Sequence, residues 1–395
     1  LSGKQIEERL ATIGRQPVII TRQADGKIGG FINVCAHRGA VVCREKIGNK
    51  KFFACGFHGW TYDSSGKLVD VPEEKAGGYP ASFDHAKLGL KPVARIEDYR
   101  GFIFASLSPD VLPLKEYLAG TRPFIDLLVD QSPVGKLEIL RGATHYNYKG
   151  NWKLQAENGL DGYHPAATHG NYMMTTMRRM SRGGDNDTKV MDLSALSRIQ
   201  GGFYAFEHGH AVLWLDIFNP QDRPNAEFRE HFLKTHGPAR TGWMVDRMRN
   251  MLLFPNVFLM DQASTQIRII RPVSVGETEI TTYCFAPVGE SDKARALRIR
   301  QYEDFFNASG MATPDDLTEF KNCQNGFAAR STPYSDMSRG MTRAIEGVNE
   351  VGQLLGFDAV LTGVEKADEG LYFAIHEDWQ ARMQDAIAQE LAATA

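Results

Sequence analysis

Residues 35–62 read CAHRGAVVCREKIGNKKFFACGFHGWTY, and two mixed pairs stand in them, Cys35-x-His37 and Cys55-x-x-His58, with seventeen residues between. No other feature constrains the local fold as strongly, because four such donors must converge on one centre. Thiolates select zinc or iron–sulfur chemistry, and two cysteines with two histidines permit either. Structural zinc sites group like ligands in tight Cys-x2–4-Cys and His-x3–5-His pairs. Here each loop carries one cysteine and one histidine instead. That division suits a 2Fe–2S cluster in which one iron takes both thiolates and the other both imidazoles.

This is the Rieske arrangement. Gly39 and Gly59 follow the two pairs and allow a tight backbone turn, so that amide N–H groups can face the bridging sulfides. High-potential Rieske proteins add a cysteine to each loop and join the two as a disulfide. The corresponding residues here are Ala40 and Phe57, and Cys43 has no partner in the second loop, so it reads as a buried apolar thiol. The cluster is expected toward the low end of the Rieske range, about −150 mV, which suits electron delivery to oxygen chemistry.

Composition narrows the class. A chain of 395 residues has room for more than one domain, and 43% apolar with 24% charged residues is ordinary for a globular protein. A net charge of −3 leaves no basic footprint for nucleic acid. No apolar run reaches the length of a membrane span. The start, at Leu1, carries no secretory signal and leaves the native N-terminus open. Five cysteines are too sparse for a disulfide scaffold, so a reducing cytoplasm is expected.

Organisation changes toward the end of the first third. From Gly14 to about Leu107 the text is short and strand-like, with hairpins expected around Asp25-Gly26 and Ser65-Gly66. The proline-bearing stretch SPDVLPLKEYLAGTRPF reads as a linker. Beyond it, helical periods at 150–164, 225–250, 292–308, 314–328 and from about 376 alternate with strand-like runs at 203–218, 253–272 and 278–286. The expected class is α+β: a small all-β Rieske domain (13–110) after an unassigned segment (1–12), then a larger domain (111–395) with an antiparallel sheet covered by helices. SRGGDNDTK (181–189) reads as a mobile loop.

That second domain holds NWKLQAENGLDGYHPAATH (151–169). Asn158, Asp161 and His164 are spaced three apart and would share a face of one helix; Pro165 then ends or kinks it, and His169 follows. Two imidazoles with an acid one turn earlier suggest a metal pair whose ring orientation Asp161 controls. A carboxylate would complete the two-His-one-carboxylate triad of non-haem iron(II) oxygenases. SGMATPDDLTEF (309–320) supplies the best candidates, with Pro314 and two aspartates starting a helix. Spacing does not choose between Asp315 and Asp316, and either could simply complement the helix dipole.

CAHRGA, CGFHGWTY, NWKLQAENGLDGYH, RQYEDFFNASGMATPDDLTEF and SDMSRG together resemble the large (α) subunit of Rieske ring-hydroxylating dioxygenases, in particular the benzoate, toluate, anthranilate and 2-halobenzoate group. The resemblance runs from about Gly14 to the C-terminus. It implies one 2Fe–2S cluster on Cys35, His37, Cys55 and His58, and one mononuclear Fe(II) on His164, His169 and Asp316. It further implies that Asp161, with Asn158 beside it, is part of the catalytic apparatus, Asp161 linking the iron site to His58 or His37 of a neighbouring subunit.

The implied activity is that of a terminal oxygenase, using O2 and reductase-supplied electrons to cis-dihydroxylate an aromatic carboxylate at ring carbons 1 and 2. A 2-halo or 2-amino substituent would leave with carbon dioxide to give catechol. Implied partners are a small β subunit in an α3β3 assembly and a flavin–ferredoxin reductase that takes NADH; no G-x-G-x-x-G in a βαβ context is present here. The carboxylate-binding residue is open, with Arg249, Arg268 and Arg271 as candidates, and Met251, Leu252, Val257 and Leu259 line the ring site or the core. His208-x-His210, read as a strand, would put two imidazoles on one face. Competing functions are an electron carrier with the cluster alone, a structural zinc protein, a monooxygenase or demethylase, and an oxygenase for an aniline or aromatic hydrocarbon.

Overall fold

Asp63 shows how the short strands of the first third are held. Its Oδ1 accepts from Ser65 N (2.8 Å), Ser65 Oγ (2.7 Å) and Lys67 N (3.1 Å), closing a turn that Gly66 completes at φ +81°. The Asp25-Gly26 hairpin is built the same way, with Gly26 at φ +85° and Gln23 N donating to Lys27 O at 2.8 Å. The computed structural model describes residues 7–23, 25–181, 199–332 and 334–394, so the segment expected as a loop at 181–189 lies, beyond Ser181, outside the described residues. The chain divides into two compact units, residues 1–116 and 117–395.

In the first unit, strands Glu7–Ile13, Gln16–Arg22, Ile28–Ile32 and Ile47–Gly48 form one antiparallel sheet, so part of the segment left unassigned is an ordinary strand. Strands Phe52–Ala54, Thr61–Asp63 and Leu68–Asp70 form a second, and Arg95–Tyr99 pairs with Phe102–Ser106. Cys35 and Cys55, each 3% exposed, sit in a core made by Ile19, Phe31, Phe53, Trp60, Tyr62 and Leu68.

The second unit is organised by one antiparallel sheet of ten strands. Its spatial order is Leu137–Ile139, Glu277–Pro287, Thr265–Ser274, Val257–Asp261, Arg247–Leu253, Ala211–Asp216, Gly201–Ala205, Leu361–Gly363 and Ile345–Glu346, with Thr144–Tyr148 also pairing Glu277–Pro287. Helices Trp152–Asn158, Asp292–Phe305, Thr313–Gly326 and Leu371–Thr394 contribute Leu154, Tyr302, Phe320 and Ile375 to a core on one face. On the other, Tyr204 and Phe206 pack with Phe124 and Phe357. Burial of both faces explains the continuous apolar run FYAF at 203–206, since alternation signals a strand only when one face meets water. The same burial holds Leu252, Met251 and Leu259 in the core.

Three expected elements differ. The helix expected over 225–250 ends at Thr241, passes through a π turn at Gly242–Asp246 and gives way to strand Arg247–Leu253. The run at 253–272 is mostly two strands joined by a hairpin. The helix expected over 150–164 stops at Asn158; Leu160 N and Asp161 N then turn back on Glu157 O and Asn158 O, Gly159 packs on the Phe258 ring, where a Cβ would lie 2.4 Å from it, and Gly162 lies against Lys366 O. Among the described residues no helix is long and apolar enough to cross a membrane.

Candidate metal centres

The two cysteine loops have matched backbones. In the first, Cys35 N donates to Ala40 O (2.8 Å) and Gly39 N to Cys35 O (3.0 Å); in the second, Cys55 N donates to Trp60 O (2.8 Å) and Gly59 N to Cys55 O (2.9 Å). Both glycines stand at φ +74°, a conformation that a side chain makes costly. Their own amides close the loops, and the tight turns expected at both glycines are present.

His37 and His58 come together from the two loops, ring centroids 4.5 Å apart, and Trp60 stacks on His37 at 4.8 Å. Two buried thiols and two adjacent imidazoles, one of each per loop, match the donor set of a Rieske cluster. Two further residues support the loops: Tyr62, which closes the CGFHGWTY motif, and Asn33, which belongs to none of the quoted motifs. Tyr62, fully buried, sets its hydroxyl 3.3 Å from Cys35 Sγ and accepts from Ala36 N at 3.0 Å; burial pushes that phenol up from its usual range. Asn33 accepts from Val42 N and Cys43 N and donates to Cys43 O, fixing the exit of the first loop. Cys43 is buried and, like the other four, unbridged.

In the second unit His164, His169 and Asp316 converge, each offering one ligand atom within 4.8 Å of the others. Asp316 Oδ1 lies 3.5 Å from His164 Nε2 and 3.4 Å from His169 Nε2. Local sequence explains the placement. Asn151 caps helix Trp152–Asn158, accepting from Lys153 N. The chain then turns through Gly159 and Gly162, and Pro165 opens a second short helix, Pro165–Thr168. Asn158, Asp161 and His164 thus meet through a turn, not along one helix, and Pro165 begins a helix where the sequence expected one to end. Pro314 starts Thr313–Gly326 with Asp315 and Asp316 in its first turn.

Each ring nitrogen facing away from the cluster of ligand atoms meets a carboxylate. His164 Nδ1 is 3.3 Å from Asp161 Oδ2, an ion-pair contact without hydrogen-bond alignment, and His169 Nδ1 is 3.5 Å from Asp315 Oδ2. Such carboxylates set the tautomer and raise ligand basicity. Asp315, which spacing left as an alternative ligand or a dipole partner, orients His169; nothing in sequence spacing could show that. Asp161 Oδ1 also accepts from Tyr163 N and His164 N. Burial pushes the Asp161 carboxyl up, but His164 and those N–H donors outweigh it and hold it below its usual range. For Asp316 burial dominates and raises the carboxyl, against the pull of His169 and His164. Asn158 Nδ2 donates to Asp316 Oδ1 at 3.1 Å. Two imidazoles and one carboxylate with no further anion among the ligand atoms fit a facial-triad metal.

Among the described residues the His208–His210 pair joins no cluster of metal-ligating side chains. His208 lies inside the hairpin turn Glu207–Gly209, at φ +63°, and His210 follows it, so no strand aligns them. His210 is fully buried; its Nε2 donates to Tyr117 O (2.8 Å) and Phe254 N donates to its Nδ1 (2.9 Å). Both nitrogens are used by backbone. Burial, with His208 and Arg382 against Asp378, holds this imidazole down at about 4 rather than 6.5. Between those values the unfolded chain takes up a proton that the folded unit refuses. Stability therefore falls as pH drops through that window, by about 3 kcal/mol, and is untouched above it. Urea unfolding at about pH 7.5 and 4.5 should show a smaller acid loss in His210→Gln than in the parent; equal losses would acquit His210.

Comparison with known proteins agrees with this geometry. The model of the Rieske [2Fe-2S] domain matches residues 3–94, and that of the ring hydroxylating alpha subunit (catalytic domain) matches residues 139–392. The chain is 49% identical to the toluate 1,2-dioxygenase subunit alpha of Pseudomonas putida, over 96% of this chain and 83% of that one. It is 45% identical to the 2-halobenzoate 1,2-dioxygenase large subunit of Burkholderia cepacia, over 96% and 82%. A solved naphthalene 1,2-dioxygenase with indole bound superposes with a TM-score of 0.80 at 25% identity, covering 95% of this chain and 83% of that one. The names subunit alpha and large subunit denote one component of a multi-subunit oxygenase. With a Rieske fold around the paired Cys–His loops and a centre of two histidines and a carboxylate on a ten-stranded sheet, the chain belongs to the ring-hydroxylating oxygenase alpha subunits, oxidoreductases that carry a 2Fe–2S cluster and a mononuclear iron.

Proposed function

We propose that this chain is the terminal oxygenase component that cis-dihydroxylates an aromatic carboxylate, benzoate or an ortho-substituted benzoate, at ring carbons 1 and 2. The observation that carries the reading is the combination of the His164–His169–Asp316 centre with relatives named for toluate and 2-halobenzoate at 49% and 45% identity across nearly the whole chain. Cys35 and Cys55 would hold one iron of the cluster and His37 and His58 the other; His164, His169 and Asp316 would hold the single iron. When bound, the single iron supplies sites for activating dioxygen with electrons received through the cluster.

The chain's own residues do the rest. Asp161 and Asp315 hold the two imidazoles with Nε2 toward the centre, and Asn158 steadies Asp316 by donating to it. His169, 5% exposed, packs against Phe305, so one wall of the site excludes water. A small β subunit, a ring of three α subunits and an NADH-dependent flavin–ferredoxin reductase complete the assembly. Asp161 would then connect His164 to a Rieske histidine of the adjacent subunit. Cytoplasmic residence belongs to the same reading, since cluster assembly on Cys35 and Cys55 requires reduced thiols.

A single-turnover experiment tests the substrate class. Photoreduced, iron-replete oxygenase is mixed with O2 and, separately, benzoate, 2-chlorobenzoate, anthranilate, toluene and naphthalene, and products are separated. A diol or catechol from the acids alone is the expected result. Oxidation of toluene or naphthalene in their place would overturn the carboxylate assignment and leave both metal centres standing.

A further inference from the structure

Arg223, Arg249, Arg268 and Arg298 are all buried in the catalytic unit. A buried guanidinium is tolerated when an anion stands against it, and three of the four have a carboxylate in contact. Arg223 and Arg249 share Asp261, and Arg298 pairs with Glu290 at 2.8 Å. Arg268 does not. Its Nε donates to Gln266 Oε1 at 3.1 Å, and among the described residues no carboxylate lies within ion-pair distance. Among those same residues its two terminal nitrogens have no hydrogen-bond partner, yet they remain reachable although the residue as a whole is 6% exposed.

The neighbours share this shortage of acceptors. Strand register places Arg268 opposite Phe258 and Thr282, with Gln266 opposite Met260 and Cys284 on the next rung of the same face. Tyr146 joins that face from the other side, on the rung of Ile270 and Ile280. Gln266 Nε2 and Tyr146 Oη are both buried without a partner. One cation and two neutral donors thus stand on adjacent rungs, and what they lack is an acceptor.

The patch lies beside the centre formed by His164, His169 and Asp316. Gly159 packs directly on the Phe258 ring, and its carbonyl accepts from Asn250 Nδ2 at 2.7 Å. Asn158, one residue earlier, donates to Asp316. From the other side, Thr282 donates to Asn307 Oδ1 at 2.6 Å, at the head of the loop that leads into the helix of Asp316.

We propose that Arg268, flanked by the Tyr146 hydroxyl and the Gln266 amide, receives the carboxylate of the aromatic substrate and so sets both substrate class and ring position. The inference rests on the aromatic-acid reading above. Attack at carbons 1 and 2 places an oxygen on the very carbon that bears the carboxylate, so its anchor must adjoin the iron site and not lie across the ring. Arg268 meets that requirement, and a planar guanidinium matches a carboxylate in bidentate fashion. The other arginine candidates do not qualify: Arg249 is ion-paired with Asp261, and Arg271 is half-exposed and 3.4 Å from Glu279.

Equilibrium dialysis of benzoate and of benzamide, its neutral isostere, against the anaerobic reduced holo-oxygenase decides the matter. Arg268→Gln is expected to raise the benzoate Kd by about a hundredfold and the benzamide Kd by no more than about threefold; Arg268→Lys is expected to weaken benzoate by about tenfold. Cluster absorbance and iron content report whether each variant is intact. Intact Arg268→Gln that binds benzoate like the parent overturns the proposal. Should that variant fail to fold, an unchanged benzoate Kd in Arg268→Lys overturns it instead. A parent enzyme that binds benzamide but not benzoate removes the aromatic-acid reading, and the proposal with it, a failure visible before any variant is made.

Discussion

Asp316→Ala is expected to give a folded protein that keeps the cluster absorbance, drops from about three irons per chain to about two, and has no measurable turnover. Among the described residues Asp316 is the one carboxylate whose oxygen stands 3.5 and 3.4 Å from the two Nε2 atoms, and it is the one anion in the set. Removing it leaves two neutral imidazoles facing a divalent cation at a buried site, where an uncompensated charge is costly. Loss of a residue that merely orients a ligand typically weakens a metal about tenfold to a hundredfold. Loss of the ligand itself must exceed that. Asp315→Ala is the internal control, since Asp315 touches only the outer nitrogen of His169; it should weaken iron within the orienting range and leave the metal bound at saturating iron. Metal analysis of both variants separates the roles. If Asp316→Ala still holds about three irons, the assignment of the third ligand is wrong.

Asp161→Asn should keep both metals and lose turnover more than about a hundredfold, beyond what ring orientation alone would account for. Asparagine preserves size and can still accept from Tyr163 N and His164 N, as Asp161 Oδ1 does at 2.6 and 3.2 Å. What disappears is the negative charge, which in the native protein persists despite burial because His164 and the backbone donors favour it. The contact of Oδ2 with His164 Nδ1 is unaligned, so this oxygen has capacity for a second partner. A Rieske histidine of an adjacent subunit is the partner the proposed electron path requires. The informative readout is the rate at which the reduced cluster reoxidises on mixing with O2 and benzoate, followed by absorbance. A native rate in a variant with full iron would end the bridging role.

Much of this site could be read directly from the chain. Cys35, His37, Cys55 and His58 are close in sequence, and mixed pairing on two loops has few chemical solutions. The hairpins at Asp25-Gly26 and Ser65-Gly66 follow from backbone conformations that few residues adopt. His164 and His169, five residues apart, were legible as a pair. The helix that was to carry Asn158, Asp161 and His164 was not correctly bounded: Gly159 keeps helical backbone angles, and what it and Gly162 pack against, Phe258 and Lys366, lies far away in sequence.

What the amino-acid order determined alone was local: which loops turn, which donors lie near one another, and hence which cofactors the chain can hold. Tertiary structure decided everything that depends on what a side chain meets after long-range pairing. It separated Asp316 from Asp315, which differ by one position but point to opposite nitrogens of His169. It took His210 out of contention by giving both its nitrogens to backbone. It distinguished Arg249 from Arg268, two buried arginines on neighbouring parts of one sheet, by supplying Asp261 to the first and, among the described residues, no carboxylate to the second. The physical reason is common to all three. Spacing sets a residue's direction along its own strand or helix, but its charge state and availability depend on burial and partners, and those exist only once the sheet has assembled.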